Sequence, residues 1–267
     1  MRDGFLIGLD IGTGGTKGLL VSPDGSVQAR AFAEYPLHTP RPGWSEQRPE
    51  DWWKAAVTVL RELAHEADGR RIVGIGLTGQ MHGSVFLDER GRSIRPALLW
   101  NDARTGEECA ELERRVGRER LQEITGNPAL AGFQAPKILW LRNHEPTRFS
   151  KVRRILLPKD YVRFRLTGEF ATDTSDAAGT LLLDLIERDW SDEILDAIEL
   201  PKDWFPTVFE GPDVTGELHE DAAKRTGIPA GTPVVGGGGI RPDLTVRSDT
   251  LTDGEEEFIR SLGSDIP

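Results

Sequence analysis

Asp10, Gly12, Thr13, Gly14, Gly15, Thr16 and Lys17 form a spacing suited to holding an anion. A run of backbone N–H groups with little side-chain bulk can wrap phosphate oxygens, and glycine permits that close approach. An acid two residues ahead of such a run can hold magnesium through water, because that ion keeps its hydration shell and uses few carboxylates. Asp10 is therefore the candidate metal residue, and Gly12 to Lys17 are the candidate phosphate-binding residues. The competing reading is a glycine-rich hairpin turn with Asp10 hydrogen-bonded inside it. Two familiar phosphate templates do not fit. A Walker loop needs Ser or Thr after its Lys and then a helix, whereas Lys17 precedes Gly18 and a strand-like run. The dinucleotide fingerprint would need Gly where Lys17 stands.

A second group of residues suits a polyhydroxylated ligand. Gln80, Met81 and His82 lie between Gly79 and Gly83 in a short connection, where flanking glycines let polar side chains point into a cleft. Trp100, Asn101 and Asp102, followed by Arg104, offer an aromatic wall, an amide and a carboxylate. The alternatives are a structural histidine at 82 and a core tryptophan at 100 with a helix cap at Asn101 or Asp102. Cys109 is the only cysteine, which excludes an intramolecular disulfide and a thiolate zinc site, and its charged helical setting makes it an ordinary helix residue.

These residues need elements to hold them. Residues 5–10 read as a buried strand closed by an acid, 17–22 as a second strand, and 26–35 as a third, with Asp24-Gly25 as the hairpin signal. The chain thus opens with an antiparallel meander. Residues 49–66 carry Trp52, Trp53, Ala56, Val57, Leu60 and Leu63 at helical spacing, with Pro49 at the start. Strands are predicted at 71–78, 84–87 and 232–235, and helices at 105–116, 136–144, 159–167, 191–198 and 217–226. Residues 172–180 read as a polar loop.

Composition bounds the rest. The 267 residues, 37% hydrophobic with seven Trp and ten Phe, can bury a core and correspond to one or two domains. The net charge of −11 gives no generalised attraction to nucleic acid or anionic lipid, so any phosphate must be held locally. No run of about 18 apolar residues is present to span a membrane, and charges interrupt the N-terminal apolar run, so the expected location is cytoplasmic. No repeat with a period of about 20–50 residues occurs.

Taken in order, the segments LDIGTGGTKGLL, WSEQRPEDWW, GLTGQMHG, PALLWNDART, TGNPALAGFQAPKILWLRNHEP, LLPKDYVRFRLTGEF and SDAAGTLLLD resemble the FGGY family of carbohydrate kinases, its xylulokinases most closely. The resemblance covers residues 5–239. It implies an α/β fold, an actin-like ATPase (ribonuclease H-like) lobe with a mixed sheet and a helical insertion across 104–200. It also implies ATP and magnesium as cofactors and a ketose, D-xylulose, as the small-molecule partner. The implied reaction is ATP plus D-xylulose to D-xylulose 5-phosphate plus ADP. By the same resemblance, Asp10 organises metal and phosphates, Thr13 to Lys17 line the phosphate path, and Met81, His82, Trp100, Asn101 and Asp102 contact the ketose.

The resemblance breaks after Gly239. In the family an Asp follows the late glycine-rich segment and takes the proton from the attacking hydroxyl; here Ile240 stands in that slot, and Ile has no titratable group. Asp243 follows Pro242 in a segment unlike the family helix. Residues 1–239 therefore read as the N-terminal kinase lobe, and 240–267 as a non-family tail with the C-terminal lobe missing. The expectation is a truncated, impaired kinase that self-associates through its bared cleft face. The alternatives are a non-catalytic sugar-binding or regulatory module, or a kinase for another ketose or polyol such as glycerol, ribulose or gluconate.

Overall fold

The computed structural model describes residues 4–239, so Ile240, Asp243 and the expected 240–267 tail lie outside the described residues. The chain opens with β1 (Phe5–Ile11), β2 (Gly15–Val21), β3 (Val27–Glu34), β4 (Glu46–Gln47) and α1 (Pro49–Glu66). Next come β5 (Ile72–Gly79), β6 (Val85–Leu87), β7 (Ala97–Leu98), α2 (Gly106–Val116), α3 (Arg118–Thr125), α4 (Gln134–His144) and α5 (Pro146–Phe149). They are followed by β8 (Arg154–Leu156), α6 (Pro158–Thr167), β9 (Ala171–Asp173), α7 (Thr174–Ala177), β10 (Leu183–Asp184), β11 (Asp189–Trp190) and α8 (Asp192–Ala197). The described part closes with β12 (Thr207–Phe209), β13 (Val214–Glu217), α9 (Glu220–Thr226), β14 (Pro233–Val235) and β15 (Gly238–Gly239).

The main sheet is mixed and runs β13-β14-β5-β1-β2-β3, with β15 also pairing β5. The expected meander is present: β1 pairs β2 and β2 pairs β3, both antiparallel. Gly25, at φ +87°, supplies the left-handed position that its turn needs. Alternation along β1 buries Ile7, Leu9 and Ile11 with Trp52, Val59, Leu60 and Leu63 of α1 in one apolar cluster. Gly18 admits that helix, because a Cβ there would lie 2.3 Å from Val59 Cγ1. Asp10 falls on the opposite face of the same strand.

Register brings three strand ends together. Asp10 pairs Thr78 and Ile11 pairs Gly79 in parallel, and on the far side of β5 Gly238 pairs Thr78 and Gly239 pairs Gly79. The C-terminal ends of β1, β5 and β15 therefore share one edge, which is where open α/β sheets collect ligands. The step from β14 to β15 is possible only with glycine at 237, where φ is +75° and a Cβ would sit 1.8 Å from Leu77 O.

The helical segment after Arg104 builds a second apolar cluster from Leu112, Leu121, Ile138, Leu139, Ile194 and Ile198, among others. Two details differ from the sequence reading. Residues 172–180, expected as loop, contain the end of β9, α7 and a 3-10 turn, because the Asp173 carboxylate accepts from Ser175 N and Asp176 N and starts a helix within a polar stretch. The helix expected at 217–226 starts at Glu220, because Glu217 still pairs Pro233 in β13 and the His219 side chain caps the helix by accepting from Ala222 N. Helix α3 went unrecognised in the sequence because it buries only Leu121, Ile124 and Thr125. Among the described residues no helix is long and apolar enough to cross a membrane.

Candidate functional site

The turn between β1 and β2 is tight: Gly12 N–H donates to Gly15 O at 3.1 Å. Strand β2 already begins at Gly15, so the open part of the predicted phosphate loop is Gly12, Thr13 and Gly14. A Cβ on Gly14 would meet nothing within 4 Å, whereas one on Gly15 would strike the Phe32 ring at 2.5 Å. Thr16 is fully buried, and Lys17 stands directly across from Asp10 in the ladder. The donor set fits a hydrated divalent cation and the phosphates beside it: one half-buried carboxylate at a strand end, next to a turn that leaves space.

The turn is braced by two amides that cross. Gln80 Nε2 donates to Gly12 O at 3.2 Å and to Gln47 Oε1 at 3.0 Å, while Gln47 Nε2 donates to Thr13 O at 2.7 Å. Trp52 Nε1 donates to the same Gln47 Oε1, and the Tyr35 hydroxyl donates to Gly12 O at 2.6 Å. Buried amide groups need partners, and here the pairings fix the Gly12 and Thr13 carbonyls, with Gln47 itself held by Gln80 and Trp52. Gln80, expected at the ketose, is 5% exposed and spends its amide on Gly12 O and Gln47. Gln47 was not anticipated, since a Gln beside Glu in the run Ser45-Glu46-Gln47 carries no spacing signal.

His82 adopts φ +62°, an uncommon value for a side-chain-bearing residue. Its backbone is held from outside: Lys137 Nζ donates to His82 O at 2.8 Å and also to Gly132 O. Gln134 Nε2 donates to Gly83 O at 3.2 Å, and the Phe133 ring lies 4.6 Å from the imidazole. The GFQAPK segment is thus the cradle of His82. Burial pulls the His82 pKa below its usual value, against the Gly179 carbonyl, 2.6 Å from Nδ1, which favours the charged form. A carbonyl only accepts, so Nδ1 carries the hydrogen and Nε2 of the neutral ring is the nitrogen able to accept one. Burial also drags Lys137 down to about 7, partly opposed by Asp102. Gly179 allows no side chain, because its Cβ would sit 2.6 Å from the His82 ring. Gly179→Ala is expected to lower the unfolding free energy by about 1–3 kcal/mol in urea denaturation, the usual cost of overpacking.

Trp100 is 48% exposed, and its Nε1 donates to Thr13 Oγ1 at 3.0 Å, so the expected aromatic wall and the expected phosphate turn are in direct contact. Asn101 is exposed beside it. Asp102 is placed differently from its neighbours. It is 1% exposed, with its carboxylate accepting from Ser45 N at 2.7 Å and from Arg104 Nε and Nη2 at 2.9 and 2.7 Å. The Arg104 guanidinium in turn lies 3.6 Å above the Trp44 ring. Asp102 therefore anchors the loop that presents Trp100 and Asn101.

The LLPKDY and SDAAGT segments build a buried ionic cluster that sequence spacing alone did not signal. Lys159 Nζ lies 2.6 Å from Asp160 Oδ1, 2.5 Å from Asp173 Oδ2 and 3.2 Å from Asp176 Oδ2, with Arg163 also paired to Asp160. The three carboxylates are close enough together to hold a metal ion, but the Lys159 ammonium takes a cation's place among them. Two cations face three acids, and the imbalance falls on Asp176: burial and the Asp173 and Asp160 charges outweigh Lys159 and push its pKa up to about 7. Asp173 goes the other way, held below its usual value by Lys159 and the Ser175 hydroxyl despite burial.

The FGGY family of carbohydrate kinases, N-terminal domain, matches residues 5–241. The chain belongs to the FGGY family of carbohydrate kinases. It is 48% identical to a xylulose kinase of Klebsiella pneumoniae over 233 residues, covering 87% of this chain and 48% of that one. A xylulose kinase structure from Rhodospirillum rubrum superposes with a TM-score of 0.85 at 34% identity, covering 88% of this chain and 49% of that one. A gluconate kinase structure from Lactobacillus acidophilus gives 0.84 at 28% identity, covering 89% and 48%. The chain spans about half the length of the relatives it matches. The mixed sheet with its helices is the actin-like ATPase fold of these FGGY kinases.

Proposed function

We propose that this chain carries the ketose-binding and phosphate-facing side of a xylulokinase-type reaction, ATP plus D-xylulose to D-xylulose 5-phosphate plus ADP. The observation that carries the reading is the Trp100 to Thr13 hydrogen bond, which joins the proposed sugar wall to the proposed phosphate turn at 3.0 Å. Phosphoryl transfer asks for positioning and charge neutralisation more than covalent chemistry by the protein. The Gly12 to Gly14 turn offers backbone groups to phosphate oxygens, and its rigidity comes from Gln47, Gln80 and Tyr35. Magnesium held through Asp10 would supply neutralising charge to those oxygens. His82, neutral with Nε2 as acceptor, suits a sugar hydroxyl, and Met81 and Trp100 suit its carbon face.

Position 240 carries Ile, which cannot take the hydroxyl proton. That residue favours a second reading, a sugar-binding module without turnover. Calorimetry with D-xylulose, glycerol and D-gluconate, run beside a coupled ADP-release assay, separates the readings. The expected result is a D-xylulose isotherm that His82→Ala weakens about tenfold or more, the loss of a buried hydrogen bond and its packing. ADP release at ordinary kinase turnover would overturn the assignment of position 240 as an empty base slot. A chain that binds none of the three ligands would overturn the ketose reading altogether.

A further inference from the structure

The residues 173–180 touch both sides of the site, a feature that neither the phosphate turn nor the His82 cradle explains. At one end the Asp173 carboxylate accepts from Ser175 N at 3.0 Å, Asp176 N at 3.1 Å and Ser175 Oγ at 2.6 Å. Ser175 Oγ then accepts from Gly239 N at 3.2 Å. At the other end, three residues after Asp176, Gly179 O meets His82 Nδ1 at 2.6 Å. The segment has no slack between these grips. A short helix and a 3-10 turn fill it, and Asp173 is itself pinned by Lys159 from α6. Gly239 also has little room beside it: a Cβ there would lie 3.0 Å from Met81 Cγ and 3.1 Å from Asp176 Oδ1.

We propose that Ser175, seated on Asp173 and Lys159, is a positioning residue that fixes Gly239, the residue preceding the family's base position, relative to His82 on the ketose side. The functional meaning of the inference rests on the ketose-kinase reading; the mechanical link does not. Ser175 is exposed and contributes no apolar packing, so its hydroxyl can be removed without opening a cavity. An element gripped at both ends transmits a displacement at one end to the other, provided it is rigid, and a hydrogen-bonded helical turn is.

The test is made on the full chain without ligand, by NMR. In Ser175→Ala the Gly239 amide is expected to exchange with deuterium about tenfold faster, as expected for loss of one hydrogen bond. The His82 Nδ1–H resonance is expected to shift in the same variant, while the Ala222 amide of α9 exchanges as in the parent. Ser175→Thr, which keeps the hydroxyl, is expected to restore both signals. An unchanged Gly239 rate, a Gly239 change without any His82 response, or failure of the Thr rescue would each overturn the proposal. D-xylulose titrated into the parent chain gives an independent readout: silence at His82 would sink the ketose reading and leave the Ser175 link standing or falling on the ligand-free signals.

Discussion

Lys159→Met is expected to destabilise the chain by about 3–5 kcal/mol, the range for removing one partner of a buried ion pair. Methionine matches the length of the lysine stem, so the loss is electrostatic rather than a cavity. Lys159 is 0% exposed and touches three aspartates within 3.2 Å, and without it only Arg163 remains to face them. Burial alone would lower the lysine's pKa, yet the aspartates outweigh it and raise it, so the ammonium is charged throughout the accessible pH range. For a domain of this size the change corresponds to a melting temperature lower by roughly 6–20 °C. Lys202→Met is the control. Lys202 also bridges two acids, Asp189 at 3.3 Å and Asp192 at 3.0 Å, but its side chain is 44% exposed. Water already screens those charges, and the expected change there is under about 1 kcal/mol. Equal effects of the two substitutions would show that the buried cluster is not ionised as described.

How much of this could be read from residues alone depends on whether the signal was local. The meander was legible because alternation, Asp24-Gly25 and the glycines after Asp10 all act within a few residues. Helix α1 was legible to its ends, since its buried stripe repeats at helical spacing over 18 residues. The grouping of Asp10, Gly12 to Gly14 and Trp100 was anticipated as chemistry, and the fold joins Trp100 to Thr13 across 87 residues of chain. What stayed hidden was long-range and polar. Gln47 and Gln80 meet 33 residues apart, Lys137 reaches back 55 residues to His82, and Lys159 gathers acids from two later elements. A buried lysine looks in sequence like any surface lysine, because nothing in its neighbours records which strand will cover it. Asp102 shows the reverse case: its residue type suited a ligand, but Arg104 two residues on and Ser45 from a distant loop consume its oxygens.

Asp176→Asn is expected to make the chain more stable than the parent at neutral pH, with a pH dependence of definite sign. The native carboxyl keeps its proton up to about 7, mainly because burial disfavours the anion, whereas the unfolded group releases it at its ordinary 3.8. Between those values the folded chain holds one more proton than the unfolded chain. Stability contributed by this site is therefore complete below about pH 4 and declines as pH rises toward 7, by up to about 1.4 kcal/mol per pH unit. Asparagine has no proton to lose and shows no such decline. The unfolding free energy of the variant relative to the parent should thus climb from pH 4 to 7 and level off above about pH 8, reaching as much as about 4 kcal/mol in the variant's favour, with the melting temperature rising in step. Because Asp173 and Asp160 share Lys159 with Asp176, the titration belongs to the cluster, and the slope measures its net proton rather than one oxygen. A difference between variant and parent that stays constant from pH 4 to 8 would mean that the proton is absent from the folded cluster. The third acid would then be charged, and Lys159 and Arg163 would have to balance three negative groups at a site buried away from bulk solvent.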